Sequence, residues 1–117
     1  MATSGYAKDQ LILKWLLEGI IRVDPATGQV WNRRYRYPVG FKTRAGYLRS
    51  SVRYKGQRYF YQVHRAIWVS QKGAVPEGLE LDHINGVKTD NRLTNLEVVT
   101  GKVNKQRYHA AKARTKP

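Results

Sequence analysis

The sequence contains no cysteine, which removes disulfides and thiolate zinc sites and fits a reducing compartment. It also has no long hydrophobic run. The most apolar stretch, 11–21, is interrupted by Lys14, Glu18 and Gly19, too short and too charged to span a bilayer. The N-terminal stretch lacks a signal-peptide layout. Acidic side chains are scarce: 8 Asp and Glu stand against 22 Lys and Arg, a formal net charge of +14. Such an excess on a small chain costs self-repulsion that an anionic partner relieves. Nucleic acid is the expected partner. A membrane surface is set well behind it, because no basic amphipathic anchor stands out.

The excess is uneven. Residues 1–60 hold 12 basic and 3 acidic side chains, residues 61–100 hold 4 and 5, and residues 101–117 hold 6 and none. Two basic segments therefore flank a nearly neutral centre.

With 117 residues, 41% of them apolar, and three Trp, eight Tyr and two Phe, the chain can bury one small core. Leu11, Ile12, Trp15 and Leu16 recur at helical spacing, so 8–18 reads as an amphipathic helix that Leu13 and Leu17 widen, with Gly19 as its stop. Residues 20–23 and 29–32 read as strands joined by Asp24-Pro25-Ala26-Thr27-Gly28. Residues 47–54 and 57–63 read as a hairpin turning at Lys55-Gly56. Its alternation sets Leu48, Ser50, Val52 and Tyr54 on one face and Tyr47, Arg49, Ser51 and Arg53 on the other. A basic, aromatic sheet face of this kind suits phosphate contact, although an ordinary solvated face reads the same way. Residues 64–72 read as a short helix and 102–112 as a basic one. Trp15, Trp31 and Trp68 are read as core.

The chemistry lies in 79–104. An apolar run ends in Asp82-His83; a polar loop follows with the turn signal Asn85-Gly86 and then Thr89, Asp90 and Asn91; a second apolar run spans Leu96–Val99. Loops of this length on a small frame carry function more often than not. A histidine titrates near neutrality and can take a proton from water. Its neighbour Asp82 leaves an extended strand on the opposite face, so the strand must end or twist there if both are to serve one site. Asp82 offers a hard oxygen ligand, and Asn104 on the first turn of the following helix offers another, a set that suits Mg²⁺.

The residues Asp82-His83, Asn95 twelve positions after His83 and Asn104 twenty-one after it, with Asp-His-Ile-Asn-Gly, Asp90-Asn91-Arg92, Asn95-Leu96 and Val98-Val99-Thr100 around them, resemble the HNH endonucleases. The likeness is to the phage and intron-encoded, homing type without zinc-binding cysteines. Val63-His64-Arg65 after a Tyr-rich hairpin resembles the segment upstream of that motif. The resemblance implies an α+β fold, with a C-terminal ββα-metal (His-Me finger) unit behind an N-terminal helix and antiparallel strands. It also implies a division into 1–63, a DNA-contacting part, and 64–117, the nuclease unit, or one compact domain made of both.

By the same resemblance His83 is the general base, Asp82 and Asn104 bind one Mg²⁺ or Mn²⁺ ion, and Asn95 braces the loop and fixes the histidine's orientation. Asn104 stands where many relatives have histidine, which favours a harder ion. The implied function is divalent-metal-dependent nicking or cleavage of double-stranded DNA by a monomer or homodimer, encoded by a phage or mobile element and acting in the bacterial cytoplasm. Arg49, Arg53, Arg58, Arg65, Lys102 and Lys105 are the candidate DNA contacts; Arg65 reads equally as a solvated arginine. His64 is either a packing residue or a support near the site, His109 an exposed helix residue, and Asn85, Asp90 and Asn91 partners for loop backbone. A DNA-binding module on the same fold that does not cut is the alternative reading, and a basic ribonucleoprotein component is a third.

Overall fold

The computed structural model describes residues 5–103, 105 and 106. The protein is α+β, with helix α1 (Gly5–Leu17), strands β1 (Ile21–Asp24), β2 (Gln29–Asn32), β3 (Phe41–Lys42), β4 (Leu48–Tyr54) and β5 (Gln57–Gln62), helix α2 (Val63–Lys72), and strands β6 (Leu79–His83) and β7 (Leu96–Thr100). All pairings are antiparallel: β1 with β2, β3–β4–β5 in one sheet, and β6 with β7. Residues 101–103, 105 and 106 are helical. The remainder of the expected basic helix, and the tail with His109, lie outside the described residues.

Helix α1 turns Asp9, Ile12 and Trp15 inward and ends as its sequence predicts. Gly19 takes φ +72, and the Ile20 N–H reaches back to the Trp15 carbonyl at 2.8 Å, the left-handed stop that glycine permits without a Cβ clash. Leu17, expected to widen the buried stripe, is instead 86% exposed. It is the last helical residue and sits one turn too late to reach the sheet.

Trp15 is the hub of the core. Its ring meets those of Tyr54, Tyr59 and Tyr61 at centroid distances of 6.4, 5.7 and 5.8 Å, spacings at which tilted rings attract beyond simple burial. One cluster runs from Ile12 and Trp15 through Val30, Val52 and Ile67 to Leu81 and Leu96, so the β6–β7 hairpin shares its core with the N-terminal elements. Trp68 packs against that cluster, whereas Trp31 is half-buried under the Arg22 guanidinium at 5.4 Å.

Two polar links complete the frame. Asp9 is fully buried; its carboxylate accepts from Arg65 Nε and Nη2, both at 2.8 Å, and from the Val75 N–H at 2.9 Å. A buried carboxylate needs such compensation to stay ionised, and the fork joins α1 to α2 and to the segment entering β6. The β4–β5 hairpin turns at Lys55 (φ 49) and Gly56 (φ 80), the pair of positive angles that matches strand twist. Strand β3 has no counterpart among the strands expected from the sequence. Its two exposed residues pair Phe41 with Arg49 and Lys42 with Leu48, too short a run to carry a period.

Candidate active site

Strand β6 ends at His83. Leu81 and His83 are buried and Asp82 between them is half-buried, as strand alternation requires. In the ladder Leu81 faces Val98, Asp82 faces Glu97 and His83 faces Leu96. The apolar partners hold the inner face closed, so the imidazole enters the core side at only 5% exposure.

The polar stretch after His83 folds on its own side chains. The Ile84 N–H donates to the Asn95 carbonyl at 2.8 Å and closes the loop. Asn95, buried, accepts from the Asn85 N–H at 3.0 Å and donates through Nδ2 to Asn85 Oδ1 at 2.9 Å and to the Asp90 carbonyl at 2.8 Å. Asn85 Oδ1 also accepts from the Val87 N–H at 2.8 Å, and Asn85 Nδ2 donates to Asp90 at 2.9 Å. Arg92 grips the Asp90 carboxylate through Nε and Nη2 at 2.8 and 2.7 Å. That fork holds Asp90 well below the usual carboxylate range, with the Asn85 amide adding to it.

The ring of His83 is held by a residue that the sequence had suggested would serve loop backbone. Asn91 is 2% exposed, and its Oδ1 lies 2.7 Å from His83 Nε2. Asn95 braces the loop, while Asn91 meets the imidazole. The reason is positional: the turn at 90–92 carries Asn91 inward beneath the end of β6. The same turn rests on the N-terminal half. The Leu93 N–H donates to the Pro25 carbonyl at 2.9 Å, and a Cβ on Gly28 would stand 2.5 Å from the Asn91 carbonyl carbon.

Around His83 lies an aromatic group. The His64 ring is 4.9 Å away and that of Tyr47 5.9 Å away, and Tyr47 stacks on His64 at 5.4 Å. Lys88 bridges across, with Nζ 4.8 Å from the Tyr47 ring and 2.9 Å from the Ala45 carbonyl. Burial pushes the His64 imidazole down to about 3, and the neighbouring His83 and Arg65 push it the same way, so His64 is neutral at ordinary pH. The sequence offers His64 as a packing residue or a support near the site, and it lies against His83; no sequence signal ties Tyr47 to His83, because the two lie far apart along the chain.

The remaining candidates separate. Asn104 lies outside the described residues. Lys102 and Lys105 are exposed on the helical stretch after β7. Arg49, Arg53 and Arg58 share the outer face of the β3–β4–β5 sheet with Phe41 and Phe60, and the Arg49 guanidinium lies 4.1 Å from the Phe60 ring. Arg65 is committed to Asp9. Among the described residues no group of three His, Cys, Asp or Glu could hold a metal, and no helix is long and apolar enough to cross a membrane.

Residues 61–106, from the end of β5 through β7, match the model of the HNH endonuclease family. That segment of the chain is similar to the HNH endonucleases. The structure superposes on one solved to describe DNA binding and cleavage by the HNH homing endonuclease I-HmuI, with a TM-score of 0.70 and 29% identity over 80% of this chain and 54% of that one. A segment of 41 residues is 42% identical to the uncharacterized gene 5.3 protein of Enterobacteria phage T3, covering 33% of this chain and 41% of the phage protein. The chain thus spans about half the length, or less, of these two relatives. The HNH fold accounts for the mixture of helices and antiparallel strands, and the α+β expectation holds.

Proposed function

We propose that the protein is a DNA endonuclease that hydrolyses a phosphodiester of double-stranded DNA, nicking or cutting it, with His83 as the general base. The observation that carries this reading is the 2.7 Å contact between His83 Nε2 and Asn91 Oδ1. An amide oxygen only accepts, so Nε2 carries the proton and the lone pair stays on Nδ1. That lone pair takes the proton of the water that attacks phosphorus, and the Asn91 contact stabilises the imidazolium that results.

HNH nucleases generally use a divalent ion. The donors fit a hard ion and not a zinc site: Asp82 supplies a carboxylate and Asn104 an amide oxygen, and Mg²⁺ characteristically takes few protein ligands while keeping its waters. Asp82 and Asn104 are therefore the residues that would hold one Mg²⁺ or Mn²⁺ ion. When bound, such an ion supplies charge neutralisation at the phosphate and the leaving oxygen.

Arg49, Arg53 and Arg58 form an outward cationic face for the DNA backbone, and exposed Lys102 and Lys105 are further candidate contacts. The reading is of a phage-type protein acting on DNA in the bacterial cytoplasm as a monomer or homodimer, with the likeness to a phage T3 protein in support.

The burial of His83 favours one competing reading, a DNA-binding module that keeps the fold without cutting. Supercoiled plasmid incubated with protein and Mg²⁺ separates the two. The endonuclease converts it to open circles or linear DNA, and His83→Ala slows this at least about 100-fold with duplex affinity retained. Intact plasmid under conditions where binding is demonstrated would falsify the endonuclease reading and leave the binding module.

A further inference from the structure

The segment 33–38, between β2 and β3, has no part in the site described above. It reads Arg33-Arg34-Tyr35-Arg36-Tyr37-Pro38, and all six residues are exposed. Its entry is fixed by Asn32, whose carbonyl accepts from the Tyr35 N–H at 2.9 Å and whose Oδ1 accepts from the Arg34 N–H at 3.0 Å. The Arg33 N–H donates to the Ile20 carbonyl at 3.0 Å, and the Val39 N–H closes the far end on the Val30 carbonyl at 2.8 Å. The loop stem is thus firmly held while its side chains face water. Tyr35 is 48% and Tyr37 62% exposed, with Phe41 just beyond at 52%. The two tyrosine rings lie 5.4 Å apart, tilted by 32°.

Single exposed aromatics are ordinary. Tyr35 and Tyr37, in contact with each other and set among Arg33, Arg34 and Arg36, form a patch, and patches of this kind mark interaction sites. The charge around it is one-sided: no Asp or Glu occurs between Asp24 and Glu77. Arginines alone would suffice to grip phosphates. Exposed rings add affinity only for a partner with a flat, unsatisfied face, and in duplex DNA the base faces are already stacked on each other. Unpaired bases offer that face, and cationic loops with projecting aromatics are how single strands are held without sequence preference.

We infer that Tyr35 and Tyr37, flanked by Arg33, Arg34 and Arg36, form a binding site for single-stranded DNA, with the rings stacking on unpaired bases and the guanidinium groups on the adjoining phosphates. The inference rests on the DNA-binding part of the reading above and not on catalysis.

The test uses the full chain in EDTA, so that no cutting intervenes, with a labelled oligothymidylate and a labelled blunt duplex in parallel titrations. The pair Tyr35→Ser and Tyr37→Ser should weaken oligothymidylate binding about tenfold or more for each ring removed and change duplex binding less than about twofold. Tyr35→Phe with Tyr37→Phe, which keeps the rings, should restore single-strand binding. Equal losses on both ligands, or none on oligothymidylate, overturn the inference. So does tighter binding of an oligouridylate than of oligothymidylate. A chain that holds duplex but no single strand overturns it alone; a chain that binds neither overturns the DNA reading as well.

Discussion

Two polar loops of the protein are built on opposite plans. In 84–95 the side chains turn on each other: Asn85, Asp90, Arg92 and Asn95 are joined by hydrogen bonds, and Asn91 reaches His83. In 33–38 the backbone is tied at both ends while the arginines and tyrosines stand in water. Both loops are rich in groups that hydrogen-bond. The first uses most of them internally, around one imidazole, although Asn91 Nδ2 is buried without a partner among the described residues; the second has kept them for something outside the molecule. A proton-transfer geometry tolerates little displacement, whereas backbone binding draws on charge that acts over several ångströms. The two plans follow from those two demands.

The sharpest way to break the contrast is to disturb what supports the first loop without touching it. Gly28 takes φ +78, and an added Cβ would stand 2.5 Å from the Asn91 carbonyl carbon and 2.7 Å from the Arg92 nitrogen. Gly28→Ala should cost about 3 kcal/mol or more, combining overpacking against backbone with a left-handed residue. Gly19 has φ +72 and nothing within 4 Å of its would-be Cβ, so Gly19→Ala should show the conformational cost alone, about 1–2 kcal/mol. Urea denaturation measures both. Equal losses would mean that the β1–β2 turn does not buttress the loop.

A smaller cut falls inside the loop. Asn95→Ala strips the Asn85 N–H and the Asp90 carbonyl of their partners. Leaving such groups unsatisfied in a partly buried place costs about 2 kcal/mol, and nicking should fall with stability because the frame around His83 loosens. A variant of parental stability would show that water replaces the amide.

Much of this first loop is legible in the sequence. The apolar runs that form β6 and β7, the Asn85-Gly86 turn and the pairing of functional signals with His83 all sit close together along the chain, where periodicity and turn chemistry operate. What is not legible is long-range. Asn91 reads as a partner for backbone because nothing local says that its turn faces inward. Gly28 and Pro25 lie more than sixty residues from the turn they support, and Tyr47 reaches His83 only through tertiary packing. The second loop escapes a sequence reading for a different reason: 33–38 has no apolar period, so it passes for a plain connection between the strands on either side of it.

Acid gives a third test, smaller per step. The His64 imidazole, pushed down to about 3 by burial and by His83 and Arg65, titrates near 6.5 once unfolded. The unfolded chain therefore takes up the proton first. This contribution to stability is complete above pH 6.5 and is lost as pH falls towards 3, at up to roughly 1 kcal/mol per pH unit. Tyr47 and His83 pack on the same ring, so the first loop's surroundings should loosen in that window. Urea titrations at stepped pH should show the slope, and His64→Phe should flatten it. An unchanged slope in that variant would assign the acid sensitivity to other groups.

The smallest effect on stability is expected in the second loop, and it separates charge that is spent from charge that is available. Arg36→Gln removes an exposed guanidinium on a loop whose fold its backbone fixes, so stability should change by less than about 0.5 kcal/mol. Giving up one guanidinium–phosphate pairing should nonetheless reduce the dependence of log affinity on log salt by about 1. Arg92→Gln removes the same formal charge from the first loop, but there the guanidinium already forks onto Asp90 at 2.8 and 2.7 Å and has little left to offer a phosphate. The slope for single-stranded DNA should therefore drop in the Arg36 variant and hold in the Arg92 variant. Equal drops would show that the two loops present their arginines to DNA alike, and the distinction between an inward-built and an outward-built loop would fail at its most direct point.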